Sequence, residues 1–106
     1  MYYTYMLRCE DNSIYTGITT DMKRRFDEHS GRISGKCAKY TGSRQAVKIE
    51  AVWESESREY ASRLEFYIKK LTKAKKELII LENANFVKFL SEKIDTEVYK
   101  RINVIA

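Results

Sequence analysis

Tyr5, Tyr15, Arg25, His29 and Glu65 are of the types that together can activate a water molecule, hold a phosphate and bind a metal ion. Their early spacing is regular: Tyr15 follows Tyr5 by ten positions, and Arg25 follows Tyr15 by another ten. Arginine presents a planar fork of N–H donors that matches a phosphate and opposes charge building on it. A phenol ordinarily ionises near pH 10, so Tyr5 or Tyr15 needs a nearby cation to act as a base at neutral pH. Singly, each residue has an ordinary explanation. Tyrosine favours half-buried strands, and His29 can meet the dipole at a helix end. Asp21 offers Arg25 a surface ion pair worth roughly 0.3 kcal/mol, and Glu65 beside Leu64 reads as an exposed helix position.

A few short elements must position these side chains. Residues 2–9, rich in Tyr, Met and Leu, predict a strand. Glu10-Asp11-Asn12-Ser13 predicts a turn, because Asp and Asn bond their own backbone and tolerate left-handed conformations. Residues 14–18 return as the second strand of a hairpin, with Gly17 relieving crowding near its end. Thr19 or Thr20 is expected to cap a helix with Asp21 in its first turn. In that helix Met22 and Phe26 share a core-facing stripe, Arg25 and His29 share another, and the end falls near Ser30-Gly31.

Residues 31–46 predict a basic loop punctuated by Gly31, Gly35 and Gly42. In it Arg32, Lys36, Lys39 and Arg44 surround Tyr40, a composition suited to holding phosphates and stacking a base. Residues 47–54 alternate cleanly and predict a third strand. Ser55 or Ser57 opens a helix with the apolar stripe Tyr60, Ala61, Leu64, Tyr67, Ile68 and Leu71, and Thr72 caps another through about Leu81. The tail from Glu82 carries Phe86, Val87, Phe89, Leu90, Ile94 and Val98 at a helical period, with a break near Asp95-Thr96.

At 106 residues the chain affords one modest core and a single domain. Hydrophobic residues make up 43% and charged residues 33%, the balance of a soluble protein with a wet surface. A net charge of +5 fits a polyanionic partner. Cys9 and Cys37 make neither a disulfide framework nor a zinc pattern, and Cys9 reads as a small core residue. The start has no basic, cleavable leader, and no apolar run approaches membrane-spanning length. The expected location is cytoplasmic, with no membrane partner.

On these residues the chain resembles the GIY-YIG nuclease superfamily, and within it the small stand-alone bacterial members. Tyr3-Thr4-Tyr5 stands where GIY would be, and Tyr15-Thr16-Gly17 where YIG would be. Arg25 matches the family's catalytic arginine, and Glu65 its metal-binding glutamate. His29 sits at an offset where some members use histidine for proton transfer or phosphate positioning. The segments Gly35-Lys36-Cys37-Ala38-Lys39-Tyr40-Thr41 and Lys69-Lys70-Leu71 fit the same branch. The first glycine of GIY is missing, Ile18 stands where some relatives carry lysine, and Glu77 where some carry asparagine. The resemblance covers roughly residues 2–81.

The resemblance implies an α+β fold with a small three-stranded antiparallel sheet flanked by helices. The nuclease-like domain is expected over residues 1–82, with residues 83–106 a helical C-terminal extension packed on it or appended to it. The implied activity is a metal-dependent endonuclease that hydrolyses phosphodiester bonds in DNA, in repair or recombination. Catalysis would fall to Tyr5, Tyr15, Arg25 and His29, and a single Mg2+ or Mn2+ to Glu65. Arg32, Lys36, Lys39, Tyr40 and Arg44 would contact the nucleic acid, and Gly17 would be structural. RNA is the alternative polymer. The alternative function is a non-catalytic nucleic-acid-binding module on the same fold. A third reading is a protein adaptor that uses the tail, favoured if Phe86, Phe89 and Leu90 form an exposed patch.

Overall fold

The computed structural model describes residues 1–30 and 45–104. Its hub is β1 (Tyr2–Cys9), which pairs antiparallel with β2 (Ile14–Thr19) on one side and with β3 (Ala46–Ser55) on the other. A short β4 (Lys100–Ile102) adds antiparallel to β3, giving the strand order β2-β1-β3-β4. The helices are α1 (Met22–His29), α2 (Arg58–Lys69), α3 (Lys73–Leu81) and α4 (Asn83–Leu90), with a 3-10 turn over Thr96–Val98. The class is α+β, with four strands where the sequence predicts three. The basic loop residues Arg32, Lys36, Lys39, Tyr40 and Arg44 lie outside the described residues, as do Gly31 and Cys37.

Local chemistry explains the elements. The β1–β2 turn places Asn12 at φ 69°, a left-handed conformation that asparagine tolerates. Asp21, not a threonine, caps α1: its backbone is extended and its side chain accepts from the Arg24 N–H at 3.1 Å. Thr19 is still needed in the ladder opposite Tyr3, and its hydroxyl accepts from the Asp21 N–H instead. Ser57 caps α2 by accepting from Tyr60 N–H, and Thr72 caps α3 by accepting from Lys75 N–H.

The pleat of the sheet divides the core in two. Tyr5, Leu7 and Val52 face one side, where Met22 and Phe26 of α1 and Ala46 cover them. Met6, Ala51 and Trp53 face the other, where Leu64 and Ile68 of α2, Ile79 of α3 and Phe86 and Leu90 of α4 form the larger cluster. Cys9 is buried, as its strand position predicts. Among the described residues no helix is long and apolar enough to cross a membrane.

The tail is only partly helical. After α4 it turns, forms the 3-10 turn and ends in β4, and it brings Phe86, Leu90, Ile94 and Tyr99 into the larger core. Phe86 and Leu90 are buried and Phe89 packs against the cluster, so the exposed patch that would favour a protein adaptor does not form. Phe86 stacks on Trp53 at 5.1 Å, and the Trp53 indole N–H donates to Asn83 Oδ1 at 3.0 Å. Arg101 lies 5.1 Å over the Trp53 ring and donates to the carbonyls of Ile79 and Ile80 at the end of α3. The guanidinium thereby satisfies helix-end acceptors that have no intrahelical partner.

Candidate functional site

Four of the five predicted chemical residues meet on the α1 side of the sheet, at its β2 edge. Tyr5 stands directly across the ladder from Gly17, and Tyr15 from Leu7, so both phenols share one face. Their ring centroids are 6.1 Å apart. One turn separates Arg25 from His29 on α1, which lays both side chains over these rings. Arg25 Nε donates to the Tyr5 hydroxyl at 3.3 Å, and His29 Nε2 lies 3.1 Å from the same oxygen. The His29 ring packs 4.7 Å from Tyr15 and 5.9 Å from Tyr5. The Tyr5 hydroxyl and His29 Nε2 share a hydrogen bond whose direction follows the imidazole tautomer, and the Tyr15 phenol also hydrogen-bonds to Tyr5.

Depth sorts these groups. Tyr5 and His29 are fully buried at 0% exposure, whereas Tyr15 and Arg25 reach the surface. Burial pushes the Tyr5 phenol well above its usual range, against the pull of the Arg25 hydrogen bond. Burial also raises Tyr15, although Lys69 and Arg25 act to lower it. Burial, helped by the Arg25 charge, lowers His29 to about 4, so its ring is neutral at pH 7. Arg25 stays firmly cationic through its hydrogen bond to Tyr5. Its acidic neighbour is Glu28, 3.4 Å from Nη1, and not Asp21, whose carboxylate is spent on the cap.

Glu65 stands apart from this hydrogen-bonded group. Its helix packs on the opposite face of the sheet through Leu64 and Ile68. Glu65 and Lys69 form one stripe of α2, paired at 3.3 Å, and both charges act on Tyr15: Lys69 eases its ionisation and Glu65 opposes it. The candidate site therefore straddles the open β2 edge, with Tyr15 between the two halves. Glu77 belongs elsewhere. Arg8 donates to it at 2.6 Å and to Glu50 at 2.8 Å, tying α3 to β1 and β3.

Two adjoining cavities flank Arg25. Thr19, Thr20, Asp21, Arg24 and Glu28 line one with it. Tyr2, Ile18, Thr19, Thr20 and Arg58 line the other. The sequence reading passes over Tyr2, Arg24 and Arg58. The available signal was Arg58 itself, a cation in the first turn of a helix, where the dipole favours anions.

The profile of the GIY-YIG catalytic domain matches residues 1–78. The chain is 53% identical to a UPF0213 protein of Fusobacterium nucleatum over 87 residues, covering 82% of this chain and 84% of that one. It is 39% identical to the UPF0213 protein YhbQ of Escherichia coli O157:H7 over 90 residues, covering 85% and 87%. The solution NMR structure of a UPF0213 protein from Bacillus halodurans is similar at 41% identity and a TM-score of 0.49, covering 83% of this chain and 96% of that one.

Proposed function

This chain belongs to the GIY-YIG family, and from that premise we propose that it hydrolyses phosphodiester bonds in DNA as a divalent-metal-dependent endonuclease, in repair or recombination. The observation that carries the reading is the row Arg25–Tyr5–His29 with Tyr15 packed on it, at the mouth of two cavities. Hydrolysis forms a phosphorus–oxygen bond to water and breaks the one to a sugar oxygen. Arg25 holds the scissile phosphate with the N–H groups left over once Nε is committed to Tyr5 and Nη1 donates to Glu28. Tyr15, the phenol of the pair that reaches solvent, orients the attacking water. Tyr5 and His29 lie behind and fix Arg25 and Tyr15 in place, and a neutral His29 adds no charge to repel Arg25.

Glu65 is the residue that would hold Mg2+ or Mn2+. It offers one hard carboxylate beside Tyr15, and among the described residues no group of three or more His, Cys, Asp or Glu side chains gathers. That donor set fits an ion that keeps most of its water shell. When bound, such an ion supplies opposing charge for the phosphate. Lys69 pairs with the Glu65 carboxylate at 3.3 Å and would yield it to a bound ion. Arg32, Lys36, Lys39, Tyr40 and Arg44 are proposed as nucleic-acid contacts from their composition alone.

The alternative, a nucleic-acid-binding module that does not cleave, draws on one observation: burial raises both phenols, so neither is a ready base. Purified protein with Mg2+ or Mn2+, assayed on branched, single-stranded and duplex DNA beside Glu65→Ala, separates the two. Metal-dependent products from the wild type only support the nuclease. Binding without products on every substrate supports the module.

A further inference from the structure

The cavity shared by Arg25 and Arg58 holds a cation that the catalytic proposal does not use. We propose that Arg58 and Tyr2 form a subsite for the nucleotide flanking the cleaved bond, with Arg58 on its phosphate and Tyr2 against its unpaired base; the substrate class rests on the nuclease reading.

Arg58, Arg25, Tyr2, Ile18, Thr19 and Thr20 line one open cavity of about 280 Å³. Two guanidinium groups on so small a space repel each other, and an anion between them removes that cost. Arg58 occupies the first position of α2, where the helix dipole disfavours a cation. Among the described residues its exposed side chain makes no hydrogen bond, ion pair or ring contact. Neither helix stability nor a salt bridge therefore explains an arginine at this point.

The helix also sets its direction relative to the chemistry. Arg58 and Glu65 are seven residues apart, so they fall on one stripe of α2 about 10 Å apart along the axis. That stripe continues to Lys69 and runs beside the β2 edge, where Tyr15 lies. A strand whose scissile phosphate sits at Arg25 thus has its next phosphate within reach of Arg58. Tyr2 is half-buried, and among the described residues its hydroxyl has no partner. An aromatic ring in such a place accepts a base by stacking, which requires the base to be unpaired.

The test measures binding with the cleavage-impaired Glu65→Gln protein and two fluorescein-labelled probes, a short single strand and a blunt duplex of the same sequence, across a salt series. Adding Arg58→Ala should weaken single-strand binding several-fold and flatten the slope of log K against log salt by about 0.7, one phosphate contact. Arg58→Lys should keep most of that slope. Tyr2→Ala should weaken the single strand more than the duplex, and Tyr2→Phe should bind as the parent does. A single uncharged methylphosphonate walked along the probe should cost the parent affinity at one flanking position, and cost Arg58→Ala nothing there. An unchanged salt slope for Arg58→Ala, or equal losses on both probes for Tyr2→Ala, overturns the subsite. Absence of cleavage by the wild type, together with the predicted slope change, would sink the nuclease reading while leaving Arg58 and Tyr2 as a site for an unpaired nucleotide. Failure of the parent to bind either probe would sink both.

Discussion

Gly17 faces Tyr5 across the β1–β2 ladder, and a Cβ built at Gly17 would fall 2.5 Å from the Tyr5 hydroxyl oxygen and 2.7 Å from its Cζ. Gly17 does not need glycine's left-handed freedom, because its φ is not in that region. It is small so that a phenol can lie across it. Tyr5 is fully buried and has no open side to move into. Gly17→Ala should therefore destabilise the fold by about 1–3 kcal/mol, as overpacking does, and shift the phenol away from Arg25 and His29. Denaturant unfolding and a cleavage assay read the two effects. A variant as stable and active as the parent would refute the packing argument.

Removing the Glu65 carboxylate should separate chemistry from stability. Glu65 is partly exposed, and its partner is a surface lysine at 3.3 Å. Glu65→Ala should change unfolding free energy by no more than about 0.5 kcal/mol and leave most nucleic-acid binding intact, while cleavage is lost. A calorimetric Mn2+ titration should show a binding signal for the wild type and none for the variant. Equal cleavage rates would exclude Glu65 as the metal ligand.

Arg25→Lys keeps a positive charge and loses both the planar fork and the Nε bond to Tyr5. We expect single-turnover cleavage to fall by about 10²–10³, with affinity changing only a few-fold. Equal losses in rate and affinity would make Arg25 a simple phosphate anchor.

His29 gives the fold a defined pH dependence. Its native pKa is lowered to about 4, against roughly 6.5 when unfolded, so the unfolded chain takes up a proton first as pH falls. The associated stability is fully present above about pH 6.5, declines as pH drops toward 4, and is worth roughly 3 kcal/mol. Urea unfolding across that window should show the decline. His29→Asn should remove it, so that the wild-type minus variant difference narrows as pH falls. A constant difference would mean that His29 titrates normally in the native protein.

Local signals made much of this molecule legible. The hairpin, the Met22–Phe26 stripe, the alternating third strand and the Thr72 cap each rest on neighbours within a turn or a strand. β4 was not legible, because three residues carry no period and their partners Val52, Trp53 and Glu54 lie far back in the sequence. Asp21 was misplaced by one role: the ladder claims Thr19, which leaves the cap to the next acceptor and Arg25 to Glu28. For the site, order and offset singled out Tyr5, Tyr15, Arg25 and His29. They could not show that His29 is sealed behind the phenols or that Glu65 approaches from the opposite face of the sheet. Arg58 left no motif at all, since its meaning comes from a cavity built by β1, β2, α1 and α2.

Helix α2 serves both the larger core and the proposed reaction. Leu64 and Ile68 are sealed in that core, and Glu65 and Lys69 each lie one residue further on, beside Tyr15. No backbone slack separates the pairs, so any loosening of Leu64 and Ile68 moves the carboxylate. Heating should therefore erode activity before the protein melts, as thermal fluctuations in the core swing Glu65 out of register with Arg25. The temperature optimum of the reaction would then report the tightness of a core on the far side of the sheet, and a substitution that fills that core better would shift the optimum upward without touching any group at the reacting bond.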